Sequence, residues 1–460
     1  MKEIKLDKTK KVHFIGIGGI NMSSLAGILL SRGYLVSGSD TRASALTEEL
    51  KKNGADIYIG QRASNIKAGT GCVVYTAAIG DDNPELMRAR ELSLPVITRA
   101  DFFGHIMKDF KDVICISGTH GKTTTTSIIS QIFLDAGADP TIMAGGILRS
   151  INSNTRIGAE DLMIAEACEY KNSFLSFFPT VGVILNIKED HIDFFKDIND
   201  IRASFRKFAE RIPEGGTLVI GDAVEDIPAF TQGLKCRIVT FSAKEEGADL
   251  TAKNITFDEY ARGSFDLYFR GTFLGRARLN ITGEHGVYDA LAAAAAAISM
   301  GVAPEQITDS LGRYSGVKRR FEIKGRIGGV TVIDDYAHHP DEINATLSAA
   351  LAYPHKKLWV VFQPHTFSRT ARFLNDFASA LARADAVILT DIYAAREVNT
   401  FGVSSEDISM LIRELGTESC YLPTFDEVET FLLQNCMDGD VLITMGAGDV
   451  ATIADNLLGL

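Results

Sequence analysis

The chain has no apolar run near the ~18 residues that a membrane-spanning helix requires. Its N-terminus, MKEIKLDKTKK, carries positive charge without the apolar segment of a secretory signal. A cytoplasmic protein is expected, neither exported nor membrane-spanning. The six cysteines, Cys72, Cys115, Cys168, Cys236, Cys420 and Cys436, form no CxxC pair and no metal-finger spacing, so reduced thiols are expected rather than a disulfide or zinc framework. Positive charge is not in excess: 47 Lys and Arg against 59 Asp and Glu leave -12, which argues against nucleic acid as a partner. Internal repeats and low-complexity linkers are also missing.

What is present is a chain of 460 residues, 46% hydrophobic and 23% charged, enough for two to three globular domains. Val12 to Ile15 reads as a strand, Gly16 to Gly19 as a turn, Met22 to Leu30 as a helix and Tyr34 to Val36 as a second strand, one βαβ unit. The alternation restarts with a strand at Val113 to Ser117, a glycine turn and a helix to about Ala136. Short alternating runs between Thr251 and Ile281 predict antiparallel hairpins. Gly286 to Met300 predicts a helix whose Ala292 to Ala297 run packs internally. From Phe321 a third series begins: a hairpin around Gly328-Gly329, helices from about Pro340 and near Ser368, and strands at Leu358 to Phe362, Ala386 to Leu389 and Val441 to Thr444. The expected fold is α/β in three domains: a Rossmann-like domain (1–107), a central phosphate-loop ATPase domain with added β-hairpins (108–321) and a Rossmann-like C-terminal domain (322–460).

The strongest local signal is Gly118-Thr119-His120-Gly121-Lys122-Thr123-Thr124, between a strand and a helix. Backbone N–H groups at a helix start attract phosphate oxygens, a lysine there neutralises terminal phosphates, and the following hydroxyl suits Mg²⁺. Ile116 stands where the common form of this loop has its first glycine. Two later strands of the same domain run into Glu166 and into Asn186, Asp190 and His191. Parallel strands end on one edge, so Glu166 and His191 are expected to join Thr123 around a metal, although each alone is ordinary surface chemistry.

The turn Gly16-x-Gly18-Gly19, with Asp40 at the end of the next strand, is either a diphosphate-binding turn or a structural one, and the first is favoured. Asn21 in the third glycine position weakens a dinucleotide reading. The third domain offers Asp334-Asp335-Tyr336-Ala337-His338-His339-Pro340 and Pro364-His365-Thr366-Phe367-Ser368-Arg369 at strand ends. A zinc site is disfavoured because adjacent histidines do not easily converge on one ion, and a substrate-orienting role is preferred. Lys318-Arg319-Arg320-Phe321, at a domain junction, offers an arginine for a transferred phosphoryl group; the plain alternative is a solvated charge run.

Together these segments resemble the Mur ligase family over essentially the whole chain. The likeness rests on His13-Phe-Ile-Gly-Ile-Gly-Gly-Ile with Met22-Ser23, Gly118 to Thr124, Glu166-Ala-Cys-Glu-Tyr170, Asn186 through Asp190-His191, Gly316-Val-Lys-Arg-Arg-Phe-Glu322 and Asp334 to Pro340. The resemblance implies an ATP- and Mg²⁺-dependent ligase whose first domain holds a UDP-sugar, the second ATP, and the third the incoming amino acid. A substrate carboxylate would attack the γ-phosphate, and the acyl phosphate would pass to an amine through a tetrahedral intermediate. By matching positions, Lys122 would bind β and γ phosphates, Thr123 and Glu166 one Mg²⁺, and His191 a second. Arg320 would face the phosphates, Asp335 and Tyr336 the ribose, and His338, His339 and Arg369 the amino acid. Gly16, Gly18, Gly19, Met22, Ser23 and Asp40 would hold the UDP-sugar.

His285 and Asp289 match an adenine-contacting segment in which relatives usually carry Asn where Asp289 stands. An ionised Asp accepts but cannot donate, so weaker ATP binding or relaxed base selectivity is expected. Within the family, Cys168-Glu-Tyr170 with Lys171-Asn-Ser, and Ile187 to Phe195, look more like the members that join L-alanine to UDP-N-acetylmuramate than the sister enzyme that attaches a recycled tripeptide. A monomer or homodimer is expected. A nicotinamide oxidoreductase, suggested by Gly16 to Asp40 alone, leaves Lys122 unexplained. A nucleotide-binding module without turnover leaves the metal ligands unexplained.

Overall fold

The computed structural model describes residues 5–76, 78–191, 194–244, 247–395 and 397–460. The chain packs as two compact units, one comprising the chain to Ile147, Ile151–Phe241 and Ala292–Val302, the other Leu148–Ser150, Ser242–Leu291 and Ala303–Leu460.

In the first unit, β1 (Lys11–Ile15), β2 (Leu35–Asp40), β3 (Asp56–Ile59), β4 (Thr70–Tyr75) and β5 (Val96–Thr98) form a parallel sheet in the order β3-β2-β1-β4-β5. Phe14, Ile15, Val73 and Val74 are fully buried, as expected where helices cover both faces. Seven further strands follow: β6 (Asp112–Ser117), β7 (Thr141–Leu148), β8 (Ser153–Arg156), β9 (Leu162–Glu166), β10 (Val181–Ile184), β11 (Thr217–Gly221) and β12 (Arg237–Ser242). Their order is β12-β11-β10-β6-β9-β7-β8. The parallel register sets Glu166 beside Ile116 and Ile184 beside Ser117, so β6, β9 and β10 end level with one another. That common edge, where neighbours lie on both sides of β6, is where α/β sheets place ligands. Residue 108 falls between the helix Arg99–Met107 and β6.

In the second unit, β13 (Leu250–Phe257), β14 (Arg262–Phe269) and β15 (Thr272–Thr282) make an antiparallel meander, and Gly263, Phe265 and Leu267 alternate inward along β14. The hairpins predicted from the alternation are there. β16 (Glu322–Ile327), β17 (Val330–Asp335), β18 (Leu358–Phe362), β19 (Ala386–Leu389), β20 (Glu418–Tyr421) and β21 (Val441–Met445) form a sheet ordered β16-β17-β21-β18-β19-β20, antiparallel only at β16. Alternate residues serve opposite faces: Leu358, Val360 and Phe362 pack in one core, Trp359 and Val361 in another. Asp335 and Phe362 are both in register with Met445, so the segments after β17 and β18 leave the sheet at one edge. Ala292–Ala297 are fully buried, as the close-packed reading required.

Candidate active site

The loop after β6 is built for close approach. Gly118 has φ +144°, and a Cβ there would lie 2.9 Å from the Leu185 Cβ; Gly121 caps the helix Lys122–Asp135 in a left-handed conformation. Asn186 brackets the loop from β10, accepting the His120 N–H at 2.9 Å and donating to the His120 carbonyl at 3.1 Å. The Thr119 hydroxyl accepts the Lys188 N–H at 2.9 Å. Thr124 lies in the first helical turn, whose free N–H groups form the anion-binding end.

Lys122 is folded back onto this loop. Its ammonium donates to the carbonyls of Gly118 (2.5 Å) and Thr119 (3.0 Å) and to both oxygens of Glu169 (3.2 and 3.1 Å). Glu169 also lies 3.4 Å from Nε2 of His191. Burial works against both charges, but mutual attraction prevails: Lys122 is held above its ordinary range and Glu169 below. Burial likewise pushes the neighbouring Cys168 thiol up to about 11, so it is no thiolate nucleophile.

Thr123 and Glu166, predicted from two separate motifs, touch: the Thr123 hydroxyl donates to Glu166 at 2.8 Å, and the Gly145 N–H donates to the same oxygen at 2.9 Å. His191 has φ +52°, a strained value for a non-glycine residue, and its ring lies 4.7 Å from that of Tyr170. A hydroxyl and a carboxylate in contact, with an imidazole on the adjoining carboxylate, are donors that fit Mg²⁺.

At the first sheet, the Asp40 carboxylate accepts the N–H groups of Gly18 (2.8 Å) and Thr41 (2.7 Å) and so shapes the glycine turn. Gly16 takes φ +82°, and Gly19 precedes the helix Ile20–Ser31 with no side-chain cap. Met22 is buried in the core, and the Ser23 hydroxyl bonds back to Ile20 of its own helix.

The second unit holds its own cluster. Asp335 is buried, and its oxygens accept the N–H groups of Phe321 and Ala337, each at 2.7 Å; burial, opposed by Arg320, pushes its carboxyl up to about 6. Arg319 pairs with Asp334 at 3.0 Å and donates to the carbonyls of Gly446 and Gly448. Both arginines lie over the Tyr336 ring, Arg319 at 4.9 Å and Arg320 at 5.2 Å from its centre, and Arg320 is 4.0 Å from Glu342. Arg319 and Phe321 both have positive φ, so Arg320 sits between two strained residues.

The adjacent histidines take different partners. His338 lies 3.0 Å from the Tyr336 carbonyl and 3.3 Å from Glu342, with its ring 5.9 Å from that of His365. His339 caps the helix Pro340–Ala352 and packs against Phe373. Arg369 reaches Nδ1 of His365 at 3.3 Å, and His365 stacks on Tyr393. Burial, then the charges of His338 and Arg369, push His365 down to about 4. His285 is also pushed down to about 4 by burial and by Arg320, and Asp289 is buried.

Four residues escaped the sequence reading. Glu169 lies three positions after Glu166, and nothing in that spacing points to Lys122. Arg319 was not separable from Arg320 in a charge run. Asn186 follows the end of β10, and nothing in the sequence ties it to His120. Glu397, which accepts both the N–H (2.8 Å) and the hydroxyl (2.6 Å) of Ser368, sits in a loop without any motif.

Three family descriptions match the chain in order: Mur ligase family, catalytic domain (residues 11–111), Mur ligase middle domain (116–297) and Mur ligase, glutamate ligase domain (319–448). The UDP-N-acetylmuramate--L-alanine ligases of Lachnospira eligens and Agathobacter rectalis are 52% and 50% identical to it, each over 100% of both chains. The solved UDP-N-acetylmuramate-alanine ligase of Thermotoga maritima is similar with a TM-score of 0.82 and 29% identity, covering 98% of each chain. A murein peptide ligase of Psychrobacter arcticus shares the fold at 23% identity and a TM-score of 0.71, covering 98% of each chain. With the phosphate loop, the Thr123–Glu166 pair and the three α/β domains all in the matched order, the chain belongs to the Mur ligase family.

Proposed function

We propose that this chain joins the amino group of L-alanine to the lactyl carboxylate of UDP-N-acetylmuramate, converting ATP to ADP and phosphate, in the cytoplasmic synthesis of peptidoglycan precursor. The observation that carries this reading is the Thr123–Glu166 contact beside Lys122 at the end of three parallel strands. A carboxylate is a poor electrophile, and phosphoryl transfer gives it a leaving group that an amine can displace.

Lys122 and the N–H groups of the loop take the phosphates, and the low-dielectric setting of Glu169 and Thr123 strengthens each contact. Thr123, Glu166 and His191 would hold Mg²⁺, which when bound neutralises anions that otherwise repel. Gly16, Gly18 and Gly19 at the first helix receive the diphosphate of the UDP-sugar, with Asp40 fixing the turn. In the second unit, His285 and Asp289 are assigned to adenine and Arg320 to phosphoryl charge. Tyr336 and Asp335 are assigned to the ribose side, the latter through the main chain it clamps. His338, His339 and Arg369 are assigned to the amino acid.

The test is phosphate release from ATP and Mg²⁺ with UDP-N-acetylmuramate, with and without L-alanine, for wild type and Lys122→Ala. Release that needs both substrates and is lost in the variant is expected. Turnover with a tripeptide and not with alanine would transfer the assignment to the sister activity.

A further inference from the structure

Glu169 is 2% exposed and is shared between the phosphate-loop lysine and His191. An ammonium has three protons to donate, and those of Lys122 are spent on Gly118, Thr119 and Glu169. The carboxylate therefore occupies the ammonium face that a terminal phosphate would use. The loop already holds its own anion. A phosphate arriving alone would have to displace a buried carboxylate, leaving two like charges beside one lysine in a place water does not screen.

Resting on the nucleotide reading above, we infer that Glu169 makes nucleotide binding at this loop conditional on a divalent cation. With the cation, its two positive charges offset those of the phosphates, and Glu169 retains His191 while Lys122 turns to the nucleotide. Without it, the carboxylate keeps the lysine and repels the phosphate. Glu169 is on this account a positioning residue that acts through Lys122 and His191.

The experiment measures ADP affinity by calorimetry on the full chain, in Mg²⁺ and in EDTA, for wild type, Glu169→Gln and Glu169→Asp. Wild type is expected to bind about 100-fold more weakly in EDTA, and Glu169→Gln to recover about tenfold or more of that loss with little change in Mg²⁺. Glu169→Asp keeps the charge and is expected to keep most of the cation dependence. A structural role alone would weaken binding in both conditions equally. An unchanged ratio in Glu169→Gln overturns the inference. So does wild type that binds ADP equally well in EDTA, a result that needs no variant. Binding with an unaltered ratio leaves the nucleotide reading intact, whereas no binding by wild type in either condition overturns both.

Discussion

Arg319 holds the fully buried carboxylate of Asp334 at 3.0 Å and ties it to the carbonyls of Gly446 and Gly448, while its neighbour Arg320 lies 4.0 Å from Glu342. Arg319 is a strut for Asp334, and Arg320 is the arginine proposed above to meet phosphoryl charge. Arg319→Met leaves Asp334 buried and unpaired, a loss of about 3–5 kcal/mol in stability. Arg320→Met should change stability by only about 0.5 kcal/mol and lower kcat by about 10²- to 10³-fold. Thermal unfolding and phosphate release, measured on both variants, separate the two. Equal destabilisation would refute the division of labour.

The Thr123–Glu166 hydrogen bond joins the hydroxyl and the carboxylate proposed above to hold Mg²⁺. Thr123→Ala is expected to weaken Mg²⁺ activation by about 10- to 100-fold, with the amino-acid KM unchanged. A Mg²⁺ titration of the rate is the check. Unaltered Mg²⁺ dependence would remove Thr123 from the metal site.

Asp289→Asn restores a side chain able both to donate and to accept toward adenine. ATP affinity is expected to tighten by about tenfold, the worth of one net hydrogen bond. Competition between ATP and GTP reports any gain in base selectivity. An ATP affinity that does not move would sink this account of Asp289.

His365, pushed down to about 4 in the folded chain, takes up a proton in the unfolded chain near 6.5. Between those values the unfolded state binds more protons, so the contribution is present above pH 6.5 and is lost as pH falls through 4. Asp335, pushed up to about 6, acts in the opposite sense between 3.8 and 6 and masks part of the effect. His365→Asn should therefore flatten the stability slope between pH 4 and 6.5 by about one proton relative to wild type. Urea unfolding at a series of pH values measures it; identical slopes would contradict the lowered value.

Glu397 fixes the start of the helix Phe367–Arg372, which carries Arg369, through two bonds to Ser368. Glu397→Ala is expected to raise the KM for the amino acid by about tenfold while leaving ATP binding as it was. A shift confined to the ATP KM would assign the loop elsewhere.

The sequence by itself determined the order of α/β segments, the glycine-lysine loop before a helix, the hairpins between Thr251 and Ile281, and the candidate pair Thr123 and Glu166. Each is local: a glycine run before a lysine at a helix start, or a period-two alternation, has its meaning within a few residues. Only the tertiary structure decided that Lys122 rests on Glu169, that Arg319 and not Arg320 is bound to Asp334, that His338 and His339 part, and that Glu397 supports Ser368. The partners in most of these pairs are tens of residues apart and meet because parallel registers level the ends of β6 with β9 and β10, and of β17 with β18. A carboxylate's role is set by the cation it faces after folding, and no spacing in the chain records that.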